Sequence, residues 1–207
     1  MPMRGFPADR PLSYRKIERM AASLRQIIAP GSAITQPLPG WAMFESLRKY
    51  SVRVDNRDIP LDYDVKNFPA GVEALTRYDA TEDVILIICA ESTYERLEED
   101  EPRARFSLCH EIGHAVLHPV ELVRLARIPH RQTAMLRDSL PDYPIYQDTE
   151  WQADAFSGAL LMPAQALAQL AQHNRLSIGQ MQNQFKVSAQ AAAVRFDIFQ
   201  RRQVDLL

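Results

Sequence analysis

Residues 104–119 read "ARFSLCHEIGHAVLHP", and the reading of this stretch decides the fold. Phe106, Leu108, Ile112, Val116 and Leu117 mark an apolar, buried helix that Pro119 is expected to stop. Inside it stands His-Glu-x-x-His, residues 110–114. Residues four apart on a helix lie nearly above one another, so His110 and His114 can offer imidazole nitrogens to one metal ion. Glu111 points partly sideways, toward the ion's open coordination position, where a carboxylate can act as general base and then acid. A carboxylate and two imidazoles on a buried helix are costly to desolvate unless something pairs with them, and a metal does. Gly113 leaves room for something to approach that face closely.

A site of this kind needs a third protein ligand, and "EWQAD" at 150–154 offers two carboxylates. Glu150 and Asp154 share one face of a second helix. One can bind the ion while the other accepts a hydrogen bond from the outer nitrogen of a ligand histidine. His118 continues the spacing from His114, but lies about 12 Å along the axis from His110. It is read as a packing or pocket-lining residue at the edge of a substrate cleft. His130, Tyr143 and Tyr146 are candidates for that cleft and for stabilising an oxyanion. His173 is expected at an exposed helix end. Cys109 sits beside His110, yet adjacent helix positions diverge by about 100°. With Cys89 it is read as a buried free thiol, since two cysteines make no secretory disulfide framework.

The rest of the 207-residue chain suits one compact unit. It is 46% hydrophobic and 24% charged, with a formal net charge of -2, which argues against a general nucleic-acid binder. Residues 1–11 carry three prolines and are read as a loose arm. Residues 13–29 are expected to form a helix capped by Ser13 and ended by Pro30 and Gly31. "GWAMFESLRKY" suggests a short helix, and "VRVDNRDIPLDYDV" has strand-like alternation. Residues 71–90 predict two strands around a turn at Asp79–Asp83, the second being "VILIICA" at 84–90. Beyond residue 100 the pattern is helical. Thr149 is the expected cap of the "EWQAD" helix, with Gln152 at capping-box spacing, and Ser188 the cap of the last helix. Residues 119–148 form a long link that includes a possible short helix, "ELVRLARI", and whose first half is basic. No apolar run approaches ~18 residues and no signal segment opens the chain, so a cytoplasmic location is expected.

"RFSLCHEIGHAVLH", "EWQADAFSGALLMP" and "FKVSAQAAAVRF" together resemble the three blocks of the ImmA/IrrE-type metallopeptidases, bacterial and phage proteins often encoded beside a helix-turn-helix repressor. The resemblance covers roughly residues 103–200. It implies zinc ligands at His110, His114 and Glu150, a catalytic Glu111, and Asp154 in support of a ligand histidine. Asp154 stands where that family usually has Asn, and Glu-x-x-x-Asp is instead the pattern of the wider thermolysin-like group. The implied fold is α+β, a small N-terminal mixed or antiparallel sheet on a mainly helical zincin-like domain. Residues 1–100 would supply the N-terminal helix and sheet, 101–175 the zinc-binding core, and 176–207 helix-turn-helix-like helices packed on it. In such peptidases an edge strand holds an extended peptide beside the metal, a role expected of strand 84–90 or its neighbour. The implied cofactor is one Zn2+, with manganese compatible with the same ligands. The implied partner is a protein substrate, a helix-turn-helix transcriptional repressor encoded nearby, with no membrane and no direct nucleic-acid binding. Two other readings compete. One is a catalytically silent, zinc-containing interaction or antitoxin-like module. The other is a DNA-binding protein using residues 176–196, which offer only Lys186 and Arg195 to phosphates.

Overall fold

The computed structural model describes residues 5–128 and 143–207. The apolar periodicity near the N-terminus becomes α1 (Tyr14–Ile28), whose inner-face Ile17 and Ala21 are fully buried. Ser13 caps it as expected, accepting from Lys16 N at 3.4 Å. A short α2 (Gly40–Glu45) and a 3-10 turn (Leu47–Lys49) lead to β1 (Ser51–Val54) and β2 (Arg57–Lys66). Their tight turn places Asp55 at φ 53°, a left-handed conformation that Asp tolerates better than most residues.

β3 (Ala74–Asp79) and β4 (Val84–Ala90) form the expected pair, with Asp79 opposite Val84. The sheet runs in the order β1-β2-β4-β3. β2 and β4 are parallel, and the other two pairs are antiparallel. β4 is flanked on both sides, and its continuous apolar run suits a strand covered on both faces. Among the described residues, its neighbour β3 therefore forms the edge on this side of the sheet.

α3 (Glu91–Glu98) leads to the motif helix, α4 (Pro102–Leu117). Glu101 caps α4 by accepting from Ala104 N at 2.8 Å, and Pro102 occupies a first-turn position where a missing N–H costs nothing. Pro119 ends α4 and also opens α5 (Pro119–Leu125). A 3-10 turn (Ile145–Gln147) precedes α6 (Thr149–Leu161), followed by α7 (Ala164–Gln172), α8 (Ile178–Phe185) and α9 (Ala189–Leu206). Ser188 caps α9, accepting from Ala191 N at 3.1 Å.

Two expectations are corrected. The cap of α6 is Asp148, whose Oδ1 accepts from Glu150 N at 2.9 Å and Trp151 N at 3.1 Å. Thr149 already lies in the first turn, and its Oγ1 accepts from Phe6 N. The reason is the second correction: residues 5–12 are a docked arm. Pro7 bridges Asp148, Ala8 N donates to Gln147 O at 2.7 Å, and Asp9 N donates to Glu121 Oε1 at 2.7 Å. Backbone pairing of this kind satisfies polar groups that a loose arm would leave to water.

One apolar core joins the sheet to the helices, including Phe44, Ile59, Ile85, Leu108, Phe156, Phe185 and Phe199. α4 and α6 pack closely because Gly113 has no side chain. A Cβ there would lie 3.2 Å from Ala153 Cα, so what approaches Gly113 is α6. Arg105, 1% exposed, clips the C-terminal helices to the core. Its guanidinium donates to Phe185 O, Lys186 O and Leu38 O at 3.2, 2.6 and 2.6 Å. Among the described residues no helix is long and apolar enough to cross a membrane.

Candidate metal centre

α4 and α6 lie side by side, so that His110 and His114 on one face the first turn of the other. His110 Nε2 is 3.0 Å from His114 Nε2 and 3.2 Å from Glu150 Oε2. His114 Nε2 is 3.6 Å from Glu150 Oε1. A tetrahedral ion with bonds of ~2.0–2.1 Å keeps its ligand atoms ~3.3 Å apart. The three groups thus form the face of a coordination tetrahedron, and they can hold a metal ion.

The surrounding hydrogen bonds decide which lone pairs point into that triangle. Gln152 Nε2 donates to Arg10 O at 3.1 Å and Tyr146 O at 2.8 Å, which turns its Oε1 toward His118. His118 Nε2 donates to that oxygen at 3.0 Å, leaving its Nδ1 to accept from His114 Nδ1 at 3.2 Å. His114 is then left with a bare Nε2. His110 Nδ1 donates to Asp154 Oδ1 at 2.9 Å, so a metal ion binding His110 would displace only the proton on its Nε2. These tautomers are assigned from the network. The His114 lone pair and the Glu150 carboxylate, facing each other at this range, repel unless positive charge, a proton on His110 Nε2 or a metal ion, sits among them.

The electrostatics point the same way. Burial would lower the pKa of His110, yet hydrogen bonds to Asp154 and Glu150, with Glu111 nearby, raise it to about 10. Burial would raise that of Glu150, yet His110 and His114 lower it. His118 moves oppositely: burial first, and then the neighbouring His114, push it down to about 4 and keep it neutral.

Glu111 lies on the sheet side of the triangle. The hydroxyl of Thr76, on the edge strand β3, is 2.7 Å from Glu111 Oε2 and 3.0 Å from Glu111 O. A cleft of about 400 Å³ opens here, with Val72, Glu73, Ala74, His110 and Glu111 among its walls. Glu73 accepts from Ser107 Oγ at 2.5 Å and Arg103 Nε at 2.8 Å. Although burial opposes it, these bonds and the one from Arg96 hold the Glu73 carboxyl below its usual range.

The remaining sequence candidates are placed as follows. Asp154 is exposed and engages His110. His118 is only 2% exposed, so it backs His114 from behind and does not wall an open cleft. The Tyr143 hydroxyl donates to Gly5 O at 2.7 Å and lies 3.1 Å from Asp148 Oδ2. Tyr146 is exposed beside a separate hollow that Leu12, Tyr14 and Arg202 also line. His130 lies outside the described residues. His173 is exposed at the end of α7. Cys89 and Cys109 are buried and free, and burial pushes each thiol up to about 12. Arg195 is buried against Glu18, so it is withdrawn from any phosphate contact.

The sequence reading missed Thr76 and the role of Gln152. Thr76 sits in an ordinary strand with no local mark. Gln152 had a signal, being buried polar on the metal-facing helix, but the capping-box spacing absorbed it.

A family model described as the IrrE N-terminal-like domain, a peptidase family, matches residues 68–197. No curated protein matches the chain. A solved structure of a Mycobacterium tuberculosis transcriptional regulator is similar at 16% identity and a TM-score of 0.49, over 90% of this chain and 48% of that one. The chain thus spans about half the length of that protein.

Proposed function

Given that the chain belongs to the IrrE N-terminal-like peptidase family, we propose that it is a zinc-dependent endopeptidase acting on a specific protein partner. The observation that carries this is the convergence of His110 Nε2, His114 Nε2 and the Glu150 carboxylate, with Glu111 beside them. Three protein ligands leave a fourth position open, which distinguishes a catalytic site from a structural one.

When bound, the ion would polarise the scissile carbonyl and acidify a water molecule. Glu111 would take the water's proton and deliver it to the leaving amine. Thr76 holds the Glu111 carboxylate toward β3 and so fixes the direction of that transfer. The free edge of β3 offers backbone donors and acceptors to an extended chain, which would lie across the cleft. Asp154 keeps His110 in its ligand tautomer, and Gln152 and His118 do the same for His114. The family resemblance makes a helix-turn-helix repressor the substrate class to try first.

The test is metal content by mass spectrometry on the untagged chain and on Glu150→Ala, followed by incubation of the zinc-loaded chain with the repressor encoded nearest to it. About one zinc per chain, lost in Glu150→Ala, with cleavage abolished in Glu111→Gln, is the expected result. No bound zinc after reloading would end the peptidase reading.

A further inference from the structure

Beside the metal centre lies a second, larger hollow of about 560 Å³. Its walls come from four helices: Tyr14 on α1, Phe106 on α4, Trp151 and Ala155 on α6, and Val194 and Ile198 on α9. It is contiguous with the catalytic cleft. Glu73, Arg103, Phe106 and Ser107 line both, and Asp154, which holds His110, stands in its wall. Phe106 and Ser107 sit about one helical turn, ~5 Å, from His110, which an extended peptide crosses in one to two residues.

The charges around the hollow are already engaged. Glu73 is held by Ser107, Arg96 and Arg103. Asp154 accepts from His110, and Arg195 is tied to Glu18 and to Met162 O. An acidic or basic side chain seated against Trp151, Val194 and Ile198 would give up water and find only Arg103 and Asp154, already paired and 72% and 61% exposed, so that they answer a new charge weakly. An apolar one would cover Trp151, Val194 and Ile198, of which Val194 is 56% exposed. The buried Arg195–Glu18 pair fastens α9 to α1.

We infer that this hollow is the specificity pocket of the proposed peptidase, taking a bulky apolar side chain of the peptide within two residues of the scissile bond. The inference rests on the peptidase reading, and it gives α9 a role in substrate selection.

Peptide hydroxamates, which chelate an active-site zinc, test it in the zinc-loaded chain. Compounds carrying an isobutyl or benzyl side chain on the first or second residue past the chelating group are compared with glycyl and carboxymethyl counterparts. The apolar compounds are expected to bind about tenfold or more tightly, and Val194→Arg to bring that ratio near one with zinc content unchanged. Equal affinities in the parent chain, or an unaltered ratio in Val194→Arg, would overturn the pocket. If no hydroxamate binds and zinc analysis finds none, the metal reading has failed by itself. Trp151 fluorescence in a Trp41→Phe background, titrated with N-acetyl-leucinamide and N-acetyl-glycinamide, then decides the hollow independently. A response to the leucyl compound alone upholds it, and equal or absent responses overturn it.

Discussion

His118 donates to Gln152 Oε1 at 3.0 Å, and that bond sets which nitrogen of His114 faces the candidate metal centre. Removing the imidazole in His118→Phe leaves the Nδ1–H of His114 without its acceptor and frees the ring to change tautomer. Zinc affinity, measured by competition with a chromogenic chelator, is expected to fall about 10- to 100-fold. Unchanged affinity in a folded variant would show that the relay does not orient His114.

Gly5 packs against Thr149 and Glu150, the proposed third ligand. A Cβ there would lie 2.3 Å from Thr149 Oγ1, 2.9 Å from Glu150 Cγ and 3.1 Å from Glu150 N. Gly5→Ala must therefore displace the arm or the carboxylate. About a tenfold loss of zinc affinity is expected, with a cooperative thermal transition retained. If affinity holds while only the transition temperature drops, the arm serves stability and not Glu150.

Thr76→Val removes the hydroxyl 2.7 Å from Glu111 Oε2 without changing the strand's shape. With a cleavable substrate in hand, kcat/KM is expected to fall about tenfold at full zinc occupancy, and Thr76→Ser to restore most of it. A variant that loses zinc instead would place Thr76 in the metal's support.

The parts of this site that sequence made legible are those written in helical spacing. His110 and His114 are one turn apart, as are Glu150 and Asp154, so a local pattern carries each pair. Thr76 meets Glu111 across 35 residues, and His118 meets Gln152 across 34; no local pattern encodes such pairings. The α6 cap was misread for a related reason. Asp148 and Thr149 both suit a cap, and only the arm, arriving from 143 residues away to occupy Thr149 Oγ1, decides between them. The strands at 74–79 and 84–90 were legible from their alternation and apolar run. That β2 pairs parallel to β4 is a long-range fact, and so is the edge position of β3.

Among the described residues, Arg105 is held by three backbone carbonyls and no carboxylate, and burial lowers its pKa. Arg105→Met would orphan those carbonyls and unclip α8 from the core. A loss of at least ~3 kcal/mol is expected from urea unfolding, and Arg105→Lys should recover little, since one ammonium cannot reproduce the planar fork. A loss below ~1 kcal/mol would mean that water takes over these carbonyls without penalty.

In the metal-free chain, stability should peak near neutrality and fall on both sides. The pKa of His110 is raised to about 10, above its ordinary 6.5, so its contribution is full below 6.5 and is lost as pH rises through 10. His118 is lowered to about 4; the unfolded chain binds that proton first, so stability is lost as pH falls from 6.5 toward 4. Glu150, also lowered, extends the acid loss below its ordinary 4.5. Melting of chelator-treated protein from pH 4 to 10 should trace both arms. Asp154→Asn removes the largest stabiliser of the His110 proton and should flatten the alkaline arm. His118→Phe should flatten the acid arm above pH 4.5. Saturating zinc, which takes the place of that proton among His110, His114 and Glu150, should abolish the alkaline arm in the parent chain. An alkaline arm that persists in Asp154→Asn would assign the loss to some other group.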